Sequence, residues 1–193
     1  MGLCLCGFSI ISLAFDAKDL TKTWQHTPFE LYLDAQEAFD LKTQNSESVL
    51  LIDVRNRPEI HYIGMADAVD ANIPYRLDSV EWKLKKHGQY GSFIKPKNPN
   101  FTQGVENLLK AKGLDKNSPI IIMCTSGSRA PFAAKALHKA GFKKVYTQVE
   151  GFEGIKAESG EDKGKRVVNG WKNRGLPWRY ELPPEKMYFN FMP

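Results

Sequence analysis

The chain has 193 residues, of which 42% are hydrophobic and 25% charged, so it can bury a core and is not a disordered segment. Three cysteines are too few for a disulfide-stapled scaffold, and 15 glycines with 11 prolines exclude a collagen-like or low-complexity chain. The net charge of +5 is mild, and nothing in the composition gathers it on one face. We therefore predict no nucleic-acid partner.

Residues 2–15 form an uncharged apolar run. The run is shorter than the ~20 residues that a bilayer-spanning helix needs, so we predict no stable membrane insertion. It fits the core of a secretory signal peptide, with small residues at Ala14 and Ala17, although no lysine or arginine precedes it. We expect residues 1–17 to be a signal peptide and the protein to be periplasmic or secreted. The alternative is a buried N-terminal helix or strand in a cytoplasmic protein.

Removal of that run would take away Cys4 and Cys6 and leave Cys124 as the sole cysteine. A single thiol in an exported domain has no disulfide partner. It is then either buried and inert or present for its chemistry.

Apolar patterning predicts an α/β domain. The continuous apolar runs at residues 49–54 and 119–123 are typical of strands covered on both faces, as in a parallel sheet. Strands alternate with helices at a spacing that fits crossover connections. Further strands are expected at residues 31–33, 68–73 and 144–149, and helices at residues 35–43, 58–62, 101–112 and 130–140.

Two segments lie outside this alternation. Residues 76–100 mix lysines with glycines and prolines, and we expect a surface excursion with a short helix at residues 79–86. Residues 156–193 are charged but carry Trp171, Trp178 and Tyr180. Because disordered tails rarely hold so many aromatics, we expect an extension that packs on a domain of residues 29–155.

The segment after the second apolar run carries the chemistry. A buried strand delivers Cys124 to its carboxyl end, where open α/β sheets bind ligands. Gly127 allows the backbone to turn its N–H groups inward as an anion cradle, and a helix begins near Pro131. The helix N-terminus and Arg129 add positive charge, and all these features favour a thiolate at Cys124. The pattern therefore predicts a nucleophilic cysteine below an anion site.

The chain resembles the rhodanese family over about residues 29–155. The resemblance rests on the ordered set Asp53-Val54-Arg55 with Glu59, Asn72-Ile73-Pro74, Cys124-Thr125-Ser126-Gly127-Ser128-Arg129 and Val149-Glu150-Gly151-Phe152. It implies a five-stranded parallel sheet with helices on both faces and a sulfur-transfer reaction. It also implies that Cys124 attacks a sulfane-sulfur donor such as thiosulfate and carries a persulfide. Residues 125–128 would hold the persulfide and Arg129 the sulfonate of the donor.

The resemblance implies no cofactor, a small anionic sulfur donor, and a thiol, cyanide or protein as the sulfur acceptor. Thr125 stands where thiosulfate-using members often carry a basic residue, so the donor is open. Asp53, Arg55 and Glu59 are interpreted as a structural charge network, since a thiolate needs no base. The four histidines show no metal-ligand spacing, and no metal site is predicted.

Two alternatives to a sulfurtransferase come from other functional classes. The first is a non-catalytic sulfur carrier or interaction module, which an intact cysteine and arginine disfavour. The second is a Cdc25-like phosphatase or arsenate reductase. Those enzymes have five residues between the cysteine and the arginine, whereas four residues separate Cys124 from Arg129.

Overall fold

The computed structural model describes Phe15, residues 17–85 and residues 88–193. The predicted signal peptide, with Cys4 and Cys6, therefore lies almost wholly outside the described residues. Within the described part of the chain, no helix has the length and apolar character needed to cross a bilayer.

The described chain alternates strands with helices, as the apolar patterning predicts. The nine strands are β1 (Tyr32–Leu33), β2 (Leu50–Asp53), β3 (Met65–Ala66), β4 (Ala71–Asn72), β5 (Trp82–Leu84), β6 (Gly91–Phe93), β7 (Ile120–Met123), β8 (Val145–Gln148) and β9 (Trp178–Arg179). The four α-helices are α1 (Ala35–Gln44), α2 (Arg57–Ile63), α3 (Phe101–Ala111) and α4 (Ala130–Lys139).

Five strands form the central sheet in the order β1-β8-β7-β2-β4, and all four pairings are parallel. The fold class predicted from the sequence is thus confirmed. β2 and β7 lie next to each other, with Asp53 opposite Met123 at their carboxyl ends. Because parallel strands end at the same edge of a sheet, Asp53 and the residue after Met123 meet there.

The sheet is covered on both faces, which explains its continuous apolar strands. Leu50 and Ile52 of β2 pack with residues of α3 and α4, whereas Leu51 packs with residues of α1. The same alternation holds in β7, where Ile120 and Ile122 face one side and Ile121 faces the other. The two-residue period of a strand thus divides each apolar run between two cores.

The C-terminal extension packs on both faces of the sheet: Trp171 joins the core that contains α1, and Tyr188 and Phe191 join the core that contains α3 and α4. On the face with α1, Trp171 is fully buried and its ring lies edge-on against that of Phe39. Arg174 forms ion pairs with Glu150 and Asp34, and β9 pairs antiparallel with β3. Apolar burial and ion pairing together hold this segment against the domain.

The helix predicted at residues 79–86 is wrong. The described part of this segment contains β5, which forms an antiparallel hairpin with β6 and places Trp82 opposite Phe93. Val80, Trp82 and Leu84 alternate with Glu81, Lys83 and Lys85, and this two-residue period is typical of a strand. The cross-strand contact of Trp82 with Phe93 adds to the preference for the hairpin.

Candidate active site

Cys124 lies directly after β7, at the carboxyl edge of the sheet, and is fully buried. The backbone N–H of Arg129 donates a hydrogen bond to its Sγ over 3.3 Å. Arg129 is the residue before α4, whose first turn contains Pro131. The sulfur therefore lies at the amino end of a ten-residue helix, where the peptide dipoles favour negative charge.

The loop of residues 124–129 rests on the turn that follows β8. Phe152 N–H donates to the carbonyl of Cys124 over 2.7 Å, and Glu153 N–H to the carbonyl of Thr125 over 2.9 Å. Gly127 has a φ of +73°, and a Cβ there would lie 1.8 Å from the carbonyl oxygen of Val149. Only glycine fits both this backbone angle and this close approach. The conformation of the cysteine loop therefore depends on its close contact with the turn after β8.

The inward face of the loop offers hydrogen-bond donors. Across the described chain, the backbone N–H groups of Ser126, Gly127 and Ser128 donate to no protein atom. Ser126 is half-buried and Ser128 is exposed. Successive N–H groups around a glycine with positive φ make a concave site that suits an anion.

One carboxylate clamps the loop to α2. Glu59 Oε2 accepts a hydrogen bond from Arg129 Nη1 over 2.6 Å, and Oε1 accepts from Arg129 Nη2 over 2.5 Å. Thr125 Oγ1 donates to Glu59 Oε1 over 2.9 Å and accepts from Arg129 Nη2. The Glu59 carboxylate also accepts from the N–H of Asn56, the residue that caps α2. A bidentate fork of this kind fixes the arginine in both distance and plane.

Burial by itself would raise the pKa of Glu59. The hydrogen bond and charge of Arg129, the Asn56 N–H and the charge of Lys95 outweigh it and lower the pKa from 4.5 to about 2. Burial would likewise lower the pKa of Arg129. The hydrogen bonds that Arg129 donates to Glu59, together with the electrostatic interactions with Cys124, Glu59 and Asp53, raise it instead. The pair is therefore ionised throughout the neutral range.

Glu59→Gln is expected to destabilise the domain at pH 7 by roughly 3 kcal/mol, because 1.36 kcal/mol accompanies each unit of pKa shift. The folded pKa lies below the unfolded one. The contribution is therefore complete above about pH 4.5 and is lost as the pH falls toward about 2. Urea unfolding of the wild type and of Glu59→Gln should show a smaller difference in unfolding free energy at pH 3 than at pH 7.

Glu106→Gln is the matched control, because Glu106 pairs with Lys116 at the surface over 2.7 Å. That variant should lose at most ~1 kcal/mol. If Glu59→Gln lowers the free energy of unfolding by the same amount at pH 7 and at pH 3, the assigned role of the carboxylate is contradicted.

Asp53 and Arg55 form a separate, fully buried pair beneath the site. Arg55 Nη2 lies 2.6 Å from Asp53 Oδ2, and both side chains have 0% exposure. Arg55 also donates to the carbonyl of Gly64 and stacks over the ring of Phe152, with 4.0 Å from its guanidinium carbon to the ring centroid. The structure thus divides the predicted charge network: Asp53 and Arg55 bind each other, while Glu59 binds the loop.

Sequence reasoning missed two contacts at this site. Lys95 Nζ lies 3.8 Å from Glu59 Oε1, although Lys95 is remote in sequence and stands in a segment read as a surface excursion. The fork between Glu59 and Arg129 joins residues separated by 70 positions. The Asn56-x-x-Glu59 capping box was a visible signal that Glu59 is held at the start of a helix. No local pattern shows which cation it faces.

Comparison with known proteins agrees with this architecture, in which a cysteine loop connects a parallel strand to a helix. The profile of the rhodanese-like domain matches residues 35–158, which is more than half of the chain. The chain therefore belongs to the rhodanese-like domain family.

Individual relatives cover a similar part of the chain. The uncharacterized protein RP600 of Rickettsia prowazekii is 31% identical over 144 residues, 75% of this chain and 93% of that protein. The crystal structure of Rv0390 from M. tuberculosis is 25% identical, with a TM-score of 0.56, and covers 78% of this chain and 97% of that one. A polysulfide-sulfur transferase homodimer from Wolinella succinogenes is 26% identical, but its TM-score of 0.40 supports no further argument.

Proposed function

We propose that the protein is a sulfurtransferase that carries sulfane sulfur on Cys124 as a persulfide. The observation that carries this proposal is the hydrogen bond from Arg129 N–H to Cys124 Sγ at the amino end of α4. A donor aimed at the sulfur stabilises a thiolate, which is the nucleophilic form of cysteine. Membership of the rhodanese-like domain family supports the same class of reaction.

In the first half-reaction, the Cys124 thiolate attacks the outer sulfur of a donor such as thiosulfate. A new S–S bond forms, the old S–S bond breaks, and sulfite leaves with the bonding electron pair. In the second half-reaction, a thiophilic acceptor takes the outer sulfur and releases the thiolate. Cyanide would leave as thiocyanate, and a thiol or a protein thiol would become a persulfide. This is covalent catalysis with two displacements.

The N–H groups of Ser126, Gly127 and Ser128, which have no acceptor among the residues that the structure describes, supply donors for the negative outer sulfur of the persulfide. The hydroxyls of Ser126 and Ser128 add two adjustable donors at the rim. Thr125 acts differently, since its hydroxyl already donates to Glu59. We infer that Thr125 positions the loop and does not contact the sulfur.

The family resemblance assigns the donor sulfonate to Arg129. In the structure both terminal nitrogens of that guanidinium bind Glu59. A sulfonate would have to share Arg129 with a carboxylate of its own sign. We therefore propose that the loop N–H groups make the main contacts to the anionic donor, and that Arg129 contributes its backbone N–H and holds the loop through Glu59.

The intact mass of the purified protein tests the cycle. Thiosulfate is expected to add the mass of one sulfur atom, and cyanide is expected to remove it with formation of thiocyanate. If thiosulfate, mercaptopyruvate and polysulfide all leave the mass unchanged, the proposed persulfide on Cys124 is wrong. Hydrolysis of a phosphate ester by the same preparation would instead favour the phosphatase alternative.

Export belongs to the same proposal. Residues 1–17 would be a signal peptide, and the sulfurtransferase domain would work in the periplasm or outside the cell, with only Cys124 retained. The support is the uncharged apolar run of residues 2–15.

A further inference from the structure

The hairpin of β5 and β6 presents large apolar side chains to solvent. Trp82 is 55% exposed, Leu84 59% and Phe93 57%. Trp82 lies opposite Phe93 and Leu84 opposite Gly91, so these side chains share one face of the ribbon, here called the apolar hairpin face. Lys83, opposite Ser92, belongs to the other face. A two-stranded hairpin with an uncovered apolar face is only marginally stable alone, which points to a partner that covers it.

The apolar hairpin face is linked to the candidate active site through a continuous ribbon. Leu77 N–H donates to the carbonyl of Pro96, and Ile94 N–H donates to that of Glu81, which closes the stem of the ribbon. Lys95, two residues after β6, lies 3.8 Å from the carboxylate that clamps the cysteine loop. The stem of the hairpin therefore contacts the same carboxylate that holds the loop of Cys124.

Charge indicates what kind of molecule this is. Residues 76–97 contain six lysines and arginines against two carboxylates, a net charge of +4 out of +5 for the whole chain. Lys83 and Lys85 are exposed. Such a segment attracts an acidic surface and repels a second copy of itself. Lys83 belongs to the face opposite the apolar one. A flat bilayer on the apolar hairpin face would leave Lys83 turned away from it, whereas a polypeptide can pass round the edge of a two-stranded ribbon and contact both faces.

We propose that the apolar hairpin face docks an acidic, thiol-bearing protein that accepts sulfur from Cys124. The inference rests on the proposed sulfurtransferase function and adds the class of acceptor. Apolar contacts with Trp82, Leu84 and Phe93 supply the affinity, because buried aromatic and aliphatic anchors dominate interface energies. The surrounding lysines select an acidic partner and speed its encounter.

The first test measures binding without sulfur chemistry, so that it does not depend on the proposed reaction. Full-length Cys124→Ser protein is titrated into three fluorescein-labelled peptides: one of Leu, Phe, Asp and Glu, one with Lys in place of the acids, and one with Ser in place of the apolar residues. The first peptide is expected to bind at least about tenfold more tightly than the others. Equal affinities would overturn the proposal.

Variants locate the binding surface. Leu84→Ser and Phe93→Ser should each weaken binding of the acidic apolar peptide about tenfold, and Lys83→Glu should weaken it and reduce its salt dependence. Phe189→Ser is the matched control, because Phe189 is 62% exposed but lies in the C-terminal extension. Thermal unfolding would show whether each variant retains the domain. An equal loss in Phe189→Ser would overturn the assignment to the hairpin.

The second test measures transfer from the persulfide of the wild-type protein. The acidic apolar peptide with one added cysteine and cyanide are compared as acceptors. The ratio of the two transfer rates should fall about tenfold in Phe93→Ser. If no persulfide forms, the sulfurtransferase proposal fails while the binding result still stands. If the persulfide forms and the ratio is unchanged, the docking proposal fails alone.

Other occupants of the apolar hairpin face would give different results. Sedimentation with phosphatidylglycerol vesicles that disappears in Leu84→Ser would assign the face to a membrane. A dimer in analytical ultracentrifugation that dissociates in Leu84→Ser would assign it to a second copy of the chain. Either result would overturn the proposal, and a monomer that ignores vesicles supports it.

Discussion

Cys124→Ser is expected to lower sulfur transfer from thiosulfate to cyanide by at least about a thousandfold. The serine hydroxyl is not ionised at neutral pH and cannot form a persulfide. The domain should stay folded with a loss of about 1 kcal/mol, since the hydroxyl can accept the Arg129 N–H that now reaches Sγ. Initial rates of thiocyanate formation, together with urea unfolding, would measure both effects. A rate within tenfold of wild type would refute the mechanism.

The other two cysteines provide the matched control for this substitution. In protein that retains residues 1–17, a Cys4→Ser, Cys6→Ser double variant keeps Cys124 as its only thiol. It should keep both the transfer rate and the mass gain of one sulfur atom. Loss of the mass gain in that variant would move the persulfide to the amino-terminal cysteines.

Asp53→Ala is expected to cost about 3–5 kcal/mol of folding free energy, because it leaves the charge of Arg55 buried without a counterion. Arg55 would keep only the Gly64 carbonyl and the Phe152 ring as partners near its guanidinium. Urea denaturation would measure the loss. Removing both charges with Asp53→Ala and Arg55→Met should cost less than the two single substitutions added together, since no isolated charge remains.

The surface pair of Arg57 and Asp78 is the control for this prediction. Its side chains are 77% and 32% exposed, and Arg57 Nη2 lies 3.1 Å from Asp78 Oδ2. Asp78→Ala should therefore cost less than about 1 kcal/mol. If Asp53→Ala is no more destabilising than Asp78→Ala, the buried pair of Asp53 and Arg55 does not stabilise the fold beneath the site.

The sheet could be predicted because its signal is local. The apolar runs that became β2 and β7 are buried on both faces, and each contains enough neighbouring residues to show this by itself. The position of Cys124 after the second run then follows from chain direction alone. Gly127 and Pro131 also allowed a local prediction, because their backbone preferences suit a tight loop and the first turn of a helix.

The hairpin of β5 and β6 could not be predicted in the same way. Its strands have three residues each and pair across a short connection, so the helical and strand interpretations rested on very few side chains. The two-residue alternation from Val80 to Lys85 was the better indicator. What distinguishes the hairpin is the contact of Trp82 with Phe93, which a scan of one segment at a time does not reveal.

The sequence by itself determined the parallel α/β sheet and the cysteine at the strand end, because each depends on residues close together in the chain. It also determined the family, through the order of several motifs along the chain. Only the tertiary structure decided which charges meet. Glu59 faces Arg129 and not Arg55, and Lys95 reaches the same carboxylate from the hairpin stem. Such pairings depend on where separate elements meet in space, and the residues next to a carboxylate in the sequence do not indicate which cation it will contact.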